Sequence, residues 1–78
     1  MPLYYFNVRN DDITEDYEGA ELPDADAARA HGIKAARSLA AHSVLKGWLT
    51  LSHHVEVLDA DRNKVADISF EEAVEIRP

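Results

Sequence analysis

Alternation governs the start of the chain. Tyr4, Phe6 and Val8 fall on one side of an extended segment, and Tyr5, Asn7 and Arg9 fall on the other. This predicts a strand over Leu3 to Arg9 with one face in a core and one face wet. From Asn10 to Asp24 the chain is acidic and broken by Gly19 and Pro23, with Ile13, Tyr17 and Leu22 as its apolar anchors. A short, irregular second strand is expected there. Helix signals then arrive together: Pro23 ends the extended stretch, Asp24 is placed to accept from free backbone N–H groups, and Asp26 sits in the positive first turn. The helix is expected to begin near Ala25 and to end with Lys46 followed by Gly47, a rod of roughly 33 Å.

Stepping 100° per residue along that helix gathers Ala25, Ala28, Gly32, Ala35, Ala36, Leu39 and Ser43 on one nearly all-small face, which suits close approach to a sheet. Ile33, Ala40 and Val44 form a second stripe about a quarter turn away. After Gly47, the residues Trp48 to Leu51 lead into a strand beginning near Ser52, in which Val55 and Val57 alternate with His54, Glu56 and Leu58. A polar turn over Asp59 to Asn63 and a return strand over Lys64 to Ser69 complete an antiparallel hairpin. Ser69-Phe70-Glu71-Glu72 has the spacing of a capping box, with Glu72 reaching back to the cap, and predicts a helical turn through Ala73 to Val74. The fold class that follows is α+β: a small, mainly antiparallel sheet of three or four strands, one long helix on one face, and a short C-terminal helical turn.

Composition narrows the function. Seventy-eight residues leave room for a single domain over 1–78, and 12 alanines make up much of the 46 % apolar content, so the core is short of large side chains. Without cysteine there is no disulfide, no zinc–thiolate site and no thiol nucleophile. Eight basic against 15 acidic side chains give a net charge of −7, a field that repels nucleic-acid backbones and anionic membranes. No apolar run approaches the roughly 20 residues of a membrane span and no basic-then-apolar leader precedes those runs, so a cytoplasmic protein is expected.

Candidate chemistry is sparse. Asp59-x-Asp61-x-Asn63 resembles the opening of a calcium loop, but Lys64 stands where the sharp turn needs glycine and Phe70 where the bidentate carboxylate belongs, so a polar hairpin turn is expected. His53 and His54 are neighbours that point to opposite faces of a strand, and His31 and His42 lie roughly 16 Å apart along the helix. Neither pair chelates one ion, and no metal, cofactor or catalytic residue is assigned. The serines lack a nucleophile's context. The acidic run Asp11, Asp12, Glu15, Asp16 and Glu18 reads first as a solvated loop and second as a lure for a basic partner or a mimic of nucleic acid.

Taken together, Met1-Pro2-x-Tyr4-x-Phe6-x-Val8-Arg9, Gly19-x-Glu21-Leu22-Pro23-Asp24, Ala27-Ala28-Arg29, Ala35-Ala36-Arg37, Val55-Glu56-Val57 and Phe70-x-x-Ala73 resemble a family of short, uncharacterised bacterial domains of unknown function. The resemblance spans nearly the whole chain and implies no catalytic residue. The chain departs from that pattern at His31-Gly32 and at Arg62, where glycine is common. The order of strand, acidic loop, Pro-Asp and long helix is also similar to the antitoxin half of HicB-like toxin–antitoxin pairs, a likeness of topology alone.

The function expected from these residues is a non-catalytic interaction module that self-associates, most simply as a twofold dimer. Leu3, Tyr5, Ile33, Val44, Leu45, Trp48 and Leu58 are the candidate interface residues, with the open sheet face slightly ahead of the helix stripe. Two alternatives belong to other classes: an antitoxin-like regulator binding a small basic protein, and a small metal-dependent protein or enzyme using His42, His53 or His54.

Overall fold

The structure, a computed structural model, describes residues 1–78. In chain order the elements are β1 (Leu3–Arg9), β2 (Ile13–Thr14), β3 (Ala20–Glu21), α1 (Ala25–Leu45), β4 (His54–Leu58), β5 (Lys64–Ser69) and α2 (Phe70–Ala73). The sheet is antiparallel throughout, in the order β2-β1-β4-β5, with β3 also pairing β1. The α+β architecture is as expected, with five strands rather than three or four. The single irregular strand expected between Asn10 and Asp24 is instead two two-residue strands that pair with opposite ends of β1. Strand β4 begins at His54 rather than near Ser52. His53 N–H is already taken by the Thr50 carbonyl at 3.2 Å.

Asp16 explains why the edge of β1 is covered by fragments. Its Oδ2 accepts from Phe6 N–H at 3.1 Å, its Oδ1 accepts from the N–H groups of Glu18 and Gly19, both at 3.1 Å, and its own N–H donates to Asn7 Oδ1 at 2.9 Å. A side chain thus replaces the missing middle of a strand and satisfies a backbone donor that would otherwise face outward.

Helix α1 starts where the cap signals put it, with Asp24 Oδ1 accepting from Ala27 N–H at 2.8 Å. It closes in a Schellman motif: Trp48 N–H donates to the Ser43 carbonyl at 3.2 Å and Gly47 N–H to the Val44 carbonyl at 3.0 Å, with Gly47 at φ 105°. The buried seam is Ala28, Gly32, Ala36 and Ala40, a ridge of residues four apart. This corrects the expected face. Ala25 is exposed, Ala35 half-buried, and Ala40, assigned to the second stripe, lies in the core. The seam rests on Tyr4, Val55, Val57 and Ile68, and Phe6, Ile33 and Leu39 pack around it.

The β4–β5 hairpin carries a bulge, since Val57 pairs with Ala66 while Leu58 pairs with Lys64, leaving Val65 as the extra residue. Asp59 Oδ1 accepts from Asp61 N–H and Asn63 N–H, both at 2.9 Å, so that carboxylate holds the turn itself. At α2, Ser69 Oγ accepts from Glu72 N–H at 3.1 Å as expected. The reciprocal half differs: the Glu72 carboxylate receives the Ser69 hydroxyl at 3.3 Å, and Ser69 itself is paired with His54 in the sheet. Arg37 Nε ties α1 to this last turn by donating to the Ala73 carbonyl at 2.6 Å.

Candidate functional site

Two places bring chemically active side chains together. The first is the open face of the sheet, where Glu56 on β4 pairs with Asp67 on β5, and Arg9 on β1, opposite His54, reaches Glu56 diagonally. Glu56 is 6 % exposed. Arg9 Nε lies 2.6 Å from its Oε1, an ion pair across neighbouring strands. Lys64 Nζ lies 3.0 Å from its Oε2 and 3.2 Å from Asp67 Oδ2. Burial alone pushes the Glu56 carboxyl upward, but Arg9 and Lys64 together outweigh it and hold the group below its ordinary value. The same contact with Glu56 raises Arg9 and Lys64.

His54 joins this cluster. Its Nε2 is 3.8 Å from Asp67 Oδ1 and its Nδ1 is 3.1 Å from the Ser52 carbonyl. One ligand atom from each of His54, Glu56 and Asp67 falls within 4.8 Å of the others, the spacing of a metal site. The charge arithmetic argues against one. Two carboxylates already face two cations, and the Lys64 ammonium stands between Glu56 and Asp67 where a divalent ion would bind. Sequence reading missed this network, because Glu56 and Asp67 meet only once the strand register is known; Arg9 and Glu56 at wet positions of facing strands were the available signal.

The second place is a cleft of about 430 Å³ between the end of α1 and the β1–β2 turn. The turn supplies Asn10, Asp11 and Asp12; the helix supplies Leu39, His42, Ser43 and Lys46. Trp48, 59 % exposed, stands at its side because the Schellman closure turns the chain there. His53 and the buried Phe70 complete the lining, the two rings meeting edge to face at 5.7 Å. His53 Nε2 lies 3.5 Å from Asp11 Oδ1. His53 and His54 thus serve opposite faces of the sheet, and His42 joins His53 in lining the cleft.

The residues expected at a self-association surface are dispersed. Leu3 and Leu58 are half-buried, and Ile33 packs against the core. Tyr5 is covered by Arg62, whose guanidinium carbon sits 3.8 Å from the ring centroid while its Nη1 donates to the Asp16 carbonyl at 3.1 Å. Arg62 does this from φ 68°, a conformation glycine adopts more readily. Val44, Leu45 and Trp48 remain outside, at 58, 85 and 59 % exposure.

Fold and cleft define a small α+β domain with one shaped recess, a charged sheet face and no helix long and apolar enough to cross a membrane. The chain belongs to the DUF6894 family, a domain of unknown function, whose pattern matches residues 3–71. No curated protein and no solved structure matches it. The likeness to HicB-like antitoxins receives no support from these comparisons.

Proposed function

We propose that the protein is a non-catalytic interaction module that self-associates through the outer flank of α1. The observation that carries this reading is the exposure of two large apolar side chains at the end of the helix, Val44 one turn beyond Ala40 and Leu45 about 100° further round, turned away from the Ala28–Ala40 seam. Exposed Ala41 sits one turn before Leu45, so a second helix has room to approach closely. The open sheet face is the weaker candidate. Its centre is the charged Arg9–Glu56–Lys64 network, and Arg62 covers its aromatic ring. Long-range repulsion from a net charge of −7 is screened beyond about 8–10 Å at physiological salt. A twofold pairing of this helix flank gives each copy the apolar cover its own sheet does not provide.

Light scattering across a concentration series reaching low micromolar tests the reading. A dimer at high concentration that reverts to monomer in Leu45→Glu is the expected result. A mass fixed at 8.7 kDa at every concentration overturns it.

A further inference from the structure

The cleft at the end of α1 is separate from that flank. Leu39, His42, Ser43 and Lys46 line it, and Val44 and Leu45 do not. Its volume of about 430 Å³ falls within the range of ligand sites, roughly 300–1,000 Å³. Its chemistry is of two kinds. Leu39 and the exposed Trp48 indole offer apolar and π surface, while Phe70 is buried. On the opposite lip, Asp11 and Asp12 present two carboxylates whose only cross-cleft ionic partner is His53, 3.5 Å from Asp11.

A cleft lined by an indole and by two carboxylates suits a ligand that is cationic at its head and aliphatic along its stem, since an indole face attracts a cation and the stem covers apolar surface. The helix end adds negative partial charge from its last carbonyls. Lys46 opposes this with one ammonium against two carboxylates. We infer that the cleft docks a basic peptide segment of a partner protein, with one Lys or Arg side chain entering between Trp48 and the Asp11–Asp12 turn. The net charge of −7 favours the same class of partner at long range.

Trp48 is the only tryptophan, so its fluorescence reports on the cleft directly. The probe is hexalysine with hexaglutamate as control, titrated at about 150 mM salt to confine the effect to short range. Saturable change with hexalysine and none with hexaglutamate is expected. Asp11→Asn/Asp12→Asn should weaken binding several-fold, up to about tenfold, as loss of two exposed ion pairs implies, and Lys46→Gln should strengthen it. Asp26→Asn/Asp61→Asn removes the same charge from the helix start and the hairpin tip and should leave affinity unchanged. No response to hexalysine, or equal weakening in both double variants with folding intact by thermal melt, overturns the inference. The self-association test is read separately by mass, so either reading stands or falls without the other.

Discussion

A methyl group added at position 32 would lie 2.8 Å from Val57 Cγ2 and 2.8 Å from Ile68 Cδ1, closer than packed carbon atoms come. The Ile68 methyl ends a flexible side chain and can turn aside, but the Val57 branch is fixed near its backbone. Two effects compete in Gly32→Ala. Helix propensity favours alanine by about 1 kcal/mol, whereas overpacking a tight seam costs about 1–3 kcal/mol. The clash should win by about 1 kcal/mol, lowering Tm by roughly 4–8 °C in a chain of this size. A thermal melt monitored by circular dichroism checks this, and an unchanged or higher Tm would mean that the helix rides further from the sheet. Gly32 therefore stands in the middle of a helix because β4 and β5 pass directly beneath it.

The covered edge of β1 is a property of an element, since it depends on a loop spanning the gap between β2 and β3. Asp16 supplies all three acceptor bonds there, to Phe6, Glu18 and Gly19. In Asp16→Asn one of the two carboxylate oxygens becomes an NH2 group. Whichever way the amide turns, a donor then faces either Phe6 N–H or the Glu18 and Gly19 N–H groups. The expected loss is about 2 kcal/mol, with hydrogen exchange accelerating first at Phe6. Exchange unaffected at Phe6 would show that the bond is dispensable. None of this was legible from spacing, because strands of two residues have no period and a carboxylate standing in for a strand leaves no pattern. The long elements were legible for the opposite reason. β1, β4 and α1 carry alternation or caps along most of their length, and Asp24 and Gly47 mark the helix ends. Which alanines face the sheet was not legible: on a helix with alanines on every side, Ala25, Ala35 and Ala40 are chemically alike, and only contact with Val57 and Ile68 decides among them. The cleft was half legible, with Asp11, Asp12, Trp48, His42 and His53 each singled out, yet their meeting depends on the cap geometry of Gly47.

Across the whole molecule, two carboxylates couple folding to pH in the same direction. Burial pushes Asp16 upward, but the backbone N–H donors of Gly19, Phe6 and Glu18, helped by Arg62, bring it below its ordinary value. Glu56 is lowered by Arg9 and Lys64 against its own burial. A carboxyl whose folded pKa is depressed binds its proton more readily in the unfolded chain. Its contribution is thus fully present above the unfolded value, about 4, and is lost as pH falls through the lower folded values. Lys64 works at the other end: raised by Glu56 and then Asp67, it contributes below its unfolded value near 10.5 and loses that contribution as pH rises through the folded one. Its side chain is half exposed, so solvent screens most of this alkaline effect, and the acid limb should dominate. Urea midpoints measured from pH 7 down to 3 should hold level at first and then fall below about pH 4. In Glu56→Gln the neutral-pH midpoint should drop by the equivalent of about 1–2 kcal/mol, because Arg9 and Lys64 lose their shared anion. The acid slope should flatten by the same linkage, since the group that took up the proton is gone. A Glu56→Gln chain with wild-type stability at pH 7 and a wild-type slope below pH 4 would show that the central ion network of the open face adds nothing to the fold. That face would then be free to carry charge for a purpose other than stability.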